Sequence, residues 1–333
     1  MADDRALVCT APARANVIGN PSDQYGGCTL ACTLPLRARV ELTPAERTTL
    51  ETGRERAEAG APEALAPRGD LFDLPRAVLR HLGPGRPAHI RYGSGIPLQS
   101  GVAGSTALLV AFLRALLEWR GEPAPEPHAL AERAREVERG ELAITCGYVD
   151  HYMTVFGGCQ FVDFRGKTPE GSAATEPYAT LEPIDADLPF VRGFTGVRHS
   201  SDSVHRPIRE RWLAGEPAVV GAYERCNEIG HLGKRALLRG EYGELGALMN
   251  ENHALQRDLG GSGESNERLI AAALGAGALG AKLAGAGDGG TIVVLWTEPD
   301  LGPLDRALRA AGASELWRPA PAAGVRIEGR GGA

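Results

Sequence analysis

The amino-acid sequence predicts an α+β fold. Strand-like and helix-like segments are interleaved along the 333 residues, and no regular strand–helix–strand repeat occurs. A doubly wound parallel sheet requires such a repeat, so a mixed arrangement is favoured instead. The apolar fraction of 43% is enough for real hydrophobic cores, and the length allows two domains of ordinary size or one large one.

The N-terminal part of the chain is predicted to consist of strands and turns. Residues 6–13 form a short apolar run, and residues 28–42 are apolar or alternate with β-compatible side chains. A polar loop of turn-forming residues, 18–27, separates these two segments. Residues 52–70 are charged and rich in proline and alanine, which indicates a helix start or a surface excursion.

The middle of the chain alternates between helices and short strands. Residues 71–82 have helical spacing, and residues 89–92 fit a short strand before a glycine-rich turn. The helix after that turn is predicted to bury one face. Its apolar residues recur every three or four positions: Leu108, Leu109, Phe112, Leu113, Leu116 and Leu117. After a proline-rich break we expect a charged helix over 128–139, a helical piece over 150–156 and a strand over 159–164.

The polar, acidic and proline-containing stretch 167–187 is a candidate loop or domain junction. We therefore expect an N-terminal domain over residues 1–187 and a C-terminal domain over residues 188–333. In the second domain the pattern predicts a strand, three helices and a buried strand. These segments are 190–197, 216–238, 242–259, 266–274 and 291–296.

Charge and hydropathy exclude several classes of function. The net charge is −6 and the pI about 5.8, so no global field attracts nucleic acid or an anionic membrane. The first five residues lack the basic and apolar character of a secretory signal, and no run of about 18 apolar residues occurs. We expect a cytoplasmic protein, a monomer or a homodimer, that binds small molecules.

The six cysteines and eight histidines show no zinc-binding pattern. No Cys-x-x-Cys pair and no His-Glu-x-x-His spacing occurs. A chain of this size needs no disulfides for stability, so reduced thiols are expected and zinc is not. The cysteines are Cys9, Cys28, Cys32, Cys146, Cys159 and Cys226.

The glycine-rich turn before the long helix has the composition of a binding site for nucleotide phosphates. Gly101, Ala103 and Gly104 let the backbone approach an anion closely, and the helix offers unpaired N–H groups and a positive dipole end. Ser105 and Thr106 place hydroxyl groups at the N-terminus of this helix, where they can cap the helix or bind a metal ion held on the phosphates. The turn lacks the lysine of an ordinary P-loop, and many such turns are only tight connections.

Three stretches resemble, in this order and spacing, the signature stretches of the GHMP kinase superfamily: residues 12–27, 97–107 and 282–290. That superfamily is named for galactokinase, homoserine, mevalonate and phosphomevalonate kinases. The second stretch resembles Pro-x-x-x-Gly-Leu-Gly-Ser-Ser-Ala, with one residue added and threonine for the second serine. The third resembles Lys-Leu-Thr-Gly-x-Gly-x-Gly-Gly, apart from Ala284 and an intruding Asp288.

The resemblance implies a fold and an activity. The fold is a pair of α+β domains, ribosomal protein S5 domain 2-like and then ferredoxin-like, with the active site in the cleft between them. The activity is transfer of the γ-phosphoryl group of ATP to an alcohol, with Mg²⁺ on the phosphates. Residues 19–23, 96–101, 201–205 and 211–213 look like those of glucuronokinase and its sugar-1-kinase relatives. The implied acceptor is therefore the anomeric hydroxyl of a sugar or a uronic acid.

By the same resemblance, Asp150 faces the acceptor hydroxyl and accepts its proton. Arg14 holds that aspartate ionised and balances charge on the phosphoryl group. Ser105 and Glu138 are the implied ligands of Mg²⁺. The alternatives are a helix N-cap for Asp150, a surface position for Arg14 and a solvated helix face for Glu138.

The implied substrate-binding residues lie in two stretches. Asn20 and Asp23 match positions that hold sugar hydroxyls, although Asn-Pro-Ser-Asp is also a plain turn. Gly147 and Tyr148 precede Asp150 and belong to the same predicted set.

Gly287 is expected to let the third stretch pack beside the phosphates. Asp288 next to it would repel them unless its carboxylate points away. A basic group offers partners for the carboxylate of a uronic acid, or is scattered surface charge. Its members are Arg198, His199, His205 and Arg206.

Two other functions remain open. One is a GHMP kinase acting on a non-sugar alcohol such as mevalonate or an amino alcohol, against which the sugar-like stretch 19–23 argues. The other is a catalytically silent protein that senses a sugar and binds a partner. The retention of four residues argues against that second alternative: Arg14, Ser105, Glu138 and Asp150.

Overall fold

The structure, a computed structural model, describes residues 6–97, 99–186, 188–197, 201–285, 287–318 and 320–331. Its strands are β1 (Ala6–Ile18), β2 (Cys28–Pro44), β3 (Thr49–Thr52), β4 (Glu55–Glu58), β5 (Ala88–Ser94), β6 (Cys159–Asp163), β7 (Thr180–Pro183), β8 (Phe190–Phe194), β9 (Gly280–Leu283), β10 (Thr291–Leu295), β11 (Glu315–Trp317) and β12 (Arg326–Gly331). Its helices are α1 (Asp73–Leu82), α2 (Gly104–Trp119), α3 (Pro127–Glu136), α4 (Val149–Phe156), α5 (Ser201–Leu213), α6 (Pro217–Arg239), α7 (Tyr242–Asp258), α8 (Glu264–Gly275) and α9 (Gly302–Ala310). Strands and helices are interleaved, so the α+β prediction is confirmed.

The first sheet is built around two long antiparallel strands. β1 and β2 pair from Leu7 opposite Leu42 to Ile18 opposite Leu30. The strand order is β12-β1-β2-β5-β3-β4, and β6 pairs with the first part of β2 and with β7. β1 is buried along nearly its whole length because β2 and β12 flank it and α2 packs on it.

Helix α2 is more deeply buried than its sequence spacing predicts. It packs against β1, β2 and the helices α1, α3 and α4. Residues outside the predicted apolar face, such as Val110, Ala111 and Ala115, are also fully buried. An apolar surface all round is typical of a helix inside a core. The helix therefore fixes its own N-terminal turn rigidly against the first sheet.

The second sheet has four antiparallel strands in the order β11-β8-β10-β9. Helices α8 and α9 cover it with buried side chains that include Leu269, Ile270, Leu304 and Leu308. Helices α6 and α7 pack on each other, and each also contacts the first sheet. These two helices therefore connect the second half of the chain to β1 and β2.

Several short elements carry no clear sequence signal. The hairpin β3–β4, whose second strand forms one edge of the first sheet, and the edge strand β7 have mostly polar residues, so they lack the alternation expected of a half-buried strand. Strand β9 lies inside the glycine- and alanine-rich stretch and is fully buried, because small residues suit a close approach of backbones. Helix α5 is largely polar and was not predicted.

The chain returns to the first sheet after completing the second. β12 pairs antiparallel with β1, from Ala6 opposite Gly331 to Thr10 opposite Arg326. Thr10 donates a hydrogen bond from Oγ1 to Glu328 at 2.6 Å. The last described strand therefore belongs to the sheet formed by the beginning of the chain.

Among the helices of the described ranges, none is both long and apolar enough to cross a bilayer. The 23-residue helix α6 carries charged side chains along its length, for example Arg225, Lys234 and Arg239.

Candidate active site

The glycine-rich turn forms the N-terminal end of the buried helix α2. Its N-cap residue, Ala103, has a φ of 62°, and Gly101 has a φ of 74°, both in the left-handed region. The first backbone N–H groups of a helix have no helical partners, and the helix dipole places partial positive charge there. This helix start therefore has the properties of an anion-binding turn.

A cavity of about 620 Å³ opens in front of this turn. Residues from all three sequence stretches line it, although these stretches are far apart along the chain. The predicted site residues on its wall are Arg14, Asn20, Asp23, Gly101, Ala103, Gly104, Ser105, Thr106, Glu138, Gly147 and Asp150. Tyr148 and Gly287 are not among the described residues that line it.

Arg14 joins Asp150 to the glycine-rich turn. Its Nε donates to Asp150 Oδ1 at 2.7 Å, and its Nη2 donates to the same oxygen. Its Nη1 donates to the carbonyl oxygen of Gly101 at 2.8 Å. The side chain of Arg14 is 6% exposed and that of Asp150 is 28% exposed. Arg14 is thus no surface arginine, and it orients a carboxylate that solvent in the cavity reaches.

Asp23 holds the start of helix α4, where Asp150 lies. Its Oδ2 accepts hydrogen bonds from the backbone N–H groups of Tyr148 at 2.7 Å and Val149 at 3.0 Å. A Cβ atom at Gly147 would lie 2.1 Å from that oxygen, so only glycine allows this approach. The N-cap residue of α4 is Tyr148 and the capping carboxylate is Asp23, so the N-cap alternative for Asp150 does not apply.

The third stretch packs against both other stretches. The backbone N–H of Asn16 donates to the carbonyl oxygen of Ala284 at 3.2 Å. Directly after the stretch, Thr291 Oγ1 donates to the carbonyl oxygen of Ser100 at 2.8 Å. A Cβ atom at Gly285 would lie 2.6 Å from the carbonyl oxygen of Gly101. These contacts bring the three stretches together around one cavity, as the resemblance implies.

Family comparisons agree with this geometry. The family described as GHMP kinases N terminal domain matches residues 73–158, and the one described as GHMP kinases C terminal matches residues 234–314. Together the two matches span half of the chain. The chain belongs to the GHMP kinase family. It is therefore an ATP-dependent kinase that acts on an alcohol group.

Relatives of this GHMP kinase include enzymes named for different acceptors. Glucuronokinase 1 of Arabidopsis thaliana is 25% identical over 327 residues, which cover 86% of this chain and 84% of that protein. A mevalonate kinase of Aeropyrum pernix is 27% identical over 317 residues, covering 92% of each chain. The crystal structure of Lactococcus lactis galactokinase complexed with galactose shares the fold, with a TM-score of 0.80 at 16% identity, covering 96% of this chain and 95% of that one.

Lys282 of this GHMP kinase is a buried cation to which the sequence analysis assigned no role. Its Nζ donates to Asn20 Oδ1 at 2.7 Å and to the carbonyl oxygen of Leu283 at 2.6 Å. Complete burial lowers the pKa of Lys282 to about 7. Lys282 therefore fixes the side chain of Asn20 from behind the cavity wall.

Three amide side chains on the cavity wall each keep a buried polar atom that no group in the described ranges pairs. These atoms are Asn16 Oδ1, Asn20 Nδ2 and Gln24 Oε1. The three residues are 4%, 1% and 2% exposed, respectively. Asn16 and Gln24 were missed in the sequence because a single amide in a strand or a short turn carries no pattern. An unpaired buried amide is unusual and calls for a partner.

Glu138 lies in a π turn (Val137–Glu141) and is only 4% exposed, so the solvated-face alternative does not apply. Its Oε2 accepts a hydrogen bond from Thr106 Oγ1 at 3.2 Å and lies 2.7 Å from His151 Nε2. Cys146 is the third group nearby. Its burial and the Glu138 carboxylate raise the pKa of the Cys146 thiol well above its usual range. The proximity of His151 and Cys146 to Glu138 has no signal in the sequence.

The remaining predicted residues have structural surroundings of their own. The hydroxyl of Tyr148 lies 2.8 Å from both the Thr168 carbonyl oxygen and Glu176 Oε2, so only its backbone serves the site through Asp23. A Cβ atom at Gly287 would lie 1.8 Å from the Gly261 carbonyl oxygen.

Two predictions concern charge beside the cavity. Asp288 is exposed and is not among the lining residues. Of the predicted basic group, His205 lines the cavity. Arg198 and His199 lie outside the described residues, and Arg206 is described but is not on the cavity wall.

Proposed function

We propose that this GHMP kinase transfers the γ-phosphoryl group of ATP to the anomeric hydroxyl of a sugar or a uronic acid, with glucuronate the first acceptor to test. The choice of a sugar as acceptor is supported mainly by the unpaired buried amide atoms of Asn16, Asn20 and Gln24. A sugar hydroxyl both donates and accepts, so a polyol pairs with the two amide oxygens and with the Asn20 N–H once these side chains turn the buried atoms towards the cavity. Leaving such an atom unpaired costs about 1–3 kcal/mol.

The three unpaired amides favour a sugar over mevalonate as the acceptor. An acceptor with several hydroxyls removes the cost at all three amides, whereas an acceptor with few hydroxyls leaves some of them unpaired. The relatives alone do not decide the choice, because the glucuronokinase and the mevalonate kinase have similar identities to this chain.

The phosphate end of ATP is assigned to the turn before α2. This helix start lies at the cavity, which Gly101, Gly104 and Ser105 line, and its first backbone N–H groups are available to an anion. Ser105 and Glu138 both line this cavity and offer hydroxyl and carboxylate oxygens, the ligand types that Mg²⁺ prefers. They would hold the ion, which when bound supplies charge compensation on the phosphates.

Asp150 is assigned to the acceptor hydroxyl. Arg14 fixes its Oδ1, so Oδ2 is the oxygen that receives the hydroxyl proton as the new O–P bond forms and the bond to ADP breaks. Arg14 compensates the negative charge of Asp150. Its hydrogen bond to the Gly101 carbonyl oxygen also holds this carboxylate at a fixed position relative to the turn proposed to bind the phosphates.

His205 is assigned to the carboxylate of a uronic acid. It is the described member of the predicted basic group that lines the cavity. A protonated imidazole donates a charge-assisted hydrogen bond to a carboxylate. The preference for a uronic acid over its neutral sugar should therefore weaken in His205→Ala.

We also propose that the chain forms two domains that divide near residue 187. The first sheet with α1–α4 makes up the part before this point, and the second sheet with α5–α9 follows it. β12 then returns to the first domain.

An acceptor panel tests the proposed function. The protein is incubated with ATP, Mg²⁺ and single acceptors (glucuronate, galacturonate, glucose, galactose, mevalonate and an amino alcohol), and ADP is measured. Phosphorus NMR of the product identifies a phosphate on the anomeric carbon. We expect acceptor-dependent ADP with a sugar or a uronic acid, and at least about 100-fold less with Asp150→Asn.

Two results would overturn the proposal. Turnover with mevalonate and with no sugar would move the acceptor to the alternative class. Binding of a sugar by calorimetry, without ADP formation above that of Asp150→Asn, would indicate the silent sensor.

A further inference from the structure

Three side chains at the edge of the cavity form a group that was not expected from the sequence. The potential ligand atoms of Glu138, Cys146 and His151 all lie within 4.8 Å of one another. The residues come from three different segments: the π turn, the loop before α4, and α4 itself. Glu138 and Cys146 line the cavity, whereas His151 is fully buried.

The donor types in this group do not suit Mg²⁺. Mg²⁺ takes oxygen ligands, whereas a carboxylate oxygen, a thiolate sulfur and an imidazole nitrogen together are the ligands of Zn²⁺. We propose that Glu138, Cys146 and His151 bind Zn²⁺, or a borderline divalent ion of the same class such as Co²⁺, and that this ion takes Glu138 away from Mg²⁺. This proposal departs from the sequence-based expectation that the chain binds no zinc.

The ring of His151 places Nε2 beside Glu138. Nε2 lies 2.7 Å from Glu138 Oε2, and His151 is fully buried. Its Nδ1 has no hydrogen-bond partner within the part of the chain that the structure describes, so no described group fixes which ring nitrogen carries the proton. A metal ion can therefore replace a proton on Nε2 without breaking a hydrogen bond at Nδ1.

The binding step balances without any redox partner. The Cys146 thiol loses its proton to solvent as the S–Zn bond forms. His151 binds the ion through Nε2, and the proton of that nitrogen is replaced by one on Nδ1. Zinc bonds of about 2.0–2.3 Å in a tetrahedron place ligand atoms about 3.3–3.8 Å apart, so small side-chain movements close the site.

The arrangement resembles an open rather than a closed zinc site. Three protein ligands leave a fourth position, and two of the three residues line the cavity. That position is accessible to water or to a phosphate oxygen. Inhibition of the kinase by zinc rests on the proposed function, because it requires Glu138 to hold Mg²⁺, whereas the binding of zinc does not.

A second histidine–glutamate pair in the chain provides a matched control. His253 Nε2 lies 2.9 Å from Glu267 Oε1, His253 is also buried, and its Nδ1 is likewise unpaired among the described residues. This pair does not belong to any three-ligand group found in the described ranges. It therefore isolates the contribution of Cys146.

The first experiment measures binding alone. The full chain is stripped with a chelator and titrated with Co²⁺, whose bond to a thiolate gives a charge-transfer absorption band, and Zn²⁺ is then added in competition. We expect one equivalent of Co²⁺ with this band in the wild type and in His253→Gln. The band should disappear in Cys146→Ser, and affinity should fall at least about tenfold in His151→Gln. An equal titration of wild type and Cys146→Ser, or no band, would refute the site.

The second experiment measures inhibition. ADP formation is followed at saturating Mg²⁺ with increasing Zn²⁺, each variant being compared with its own zinc-free rate. We expect the half-inhibiting Zn²⁺ concentration to rise at least about tenfold in Cys146→Ser and to stay unchanged in His253→Gln. If Co²⁺ binds but no acceptor is turned over, the metal site stands and the proposed function fails. If an acceptor is turned over but the cobalt band is absent, the proposed function stands and the metal site is refuted. Circular dichroism checks that each variant is folded.

Discussion

Arg14 and Lys282 are two buried cations that contact cavity residues, and they differ in what compensates their charge. Arg14 donates two hydrogen bonds to the carboxylate of Asp150. Lys282 donates only to an amide oxygen and a backbone carbonyl, and no carboxylate of the described residues lies within ion-pair distance of it. Burial without a counter-charge lowers the pKa of Lys282 to about 7.

The difference separates a residue that acts in the chemistry from one that positions a neighbour. The guanidinium of Arg14 is always charged and offers its donors in a fixed plane, which suits a carboxylate beside a reacting phosphoryl group. Lys282 can lose its proton near neutral pH and still donate a hydrogen bond to Asn20 as a neutral amine. The cavity wall thus contains one permanent charge, that of Arg14, and a charge that depends on pH, that of Lys282, lies behind it.

The largest effect is expected on the Arg14 side. Arg14→Lys cannot make both bonds to Asp150 and the bond to Gly101, so kcat/KM for the best acceptor should fall between about 100-fold and 10,000-fold. ADP release from the coupled assay measures this. Arg39→Lys is the control, because Arg39 makes an exposed ion pair with Glu41. Equal rates in the two variants would contradict the assignment of Arg14.

On the Lys282 side, the expected effect is on stability and depends on pH. Below about pH 7 both states carry the proton, and the folded state bears the full cost of the buried charge. Between there and the unperturbed value of 10.5 only the unfolded state keeps the proton, so the free energy of unfolding rises with pH. Relative to Lys282→Met, the wild type should gain on the order of 5 kcal/mol over this range. Urea unfolding at several pH values tests the sign, and a difference independent of pH would show that Lys282 stays charged.

A carboxylate beside Lys282, like the one beside Arg14, should remove most of the pH dependence of the free energy of unfolding. Asn20→Asp places a carboxylate at the Lys282 amine, which raises the pKa of Lys282 towards its ordinary value of 10.5. Most of the gain in unfolding free energy between pH 7 and 10.5 should therefore disappear. Asn250→Asp is the control, because Asn250 hydrogen-bonds the backbone of Leu279 and Ala281 and not Lys282. A slope as steep as that of the wild type would count against this explanation.

A smaller effect is expected from the helix start that carries Asp150. In Gly147→Ala the added methyl group would lie 2.1 Å from Asp23 Oδ2, so the carboxylate must move and the cap of α4 weakens. We expect a loss of about 1–2 kcal/mol in unfolding free energy, together with a rise in the acceptor KM. Gly140→Ala is matched, because a Cβ atom there meets nothing within 4 Å. Similar stabilities of the two variants would mean that Asp23 adjusts without cost.

The sequence located the centre of the site because its residues belong to recognisable stretches. Arg14 and Asp150 are 136 positions apart, yet both lie in stretches that resemble family motifs, and the structure joins them directly. The α+β class and most helices also followed from spacing. Asp23 also lines the cavity, and its predicted contact with a sugar hydroxyl stays a prediction. Its bonds to the backbone of α4 depend on how two loops meet, which no local pattern records.

The remaining site residues escaped prediction for physical reasons. Asn16 and Gln24 are single amides whose importance arises only from burial beside the cavity. His151 reaches Glu138 across a π turn, whose extra residue changes which side chains share a face. β12 has a polar sequence, and only its pairing with β1 defines it as a strand.

The pairing of β12 with β1 also has a consequence for biosynthesis. The segment before β12 packs on β2 and on the C-terminal end of α4. Thr33 Oγ1 in β2 donates a hydrogen bond to the carbonyl oxygen of Ala322. A Cβ atom at Gly324 would lie 1.9 Å from the carbonyl oxygen of Val155 in α4. During synthesis, residues 320–331 leave the ribosome after all four strands of the second sheet. Until then one side of β1 has no strand to pair with. Premature termination before residue 320 should therefore produce aggregates rather than a slower enzyme.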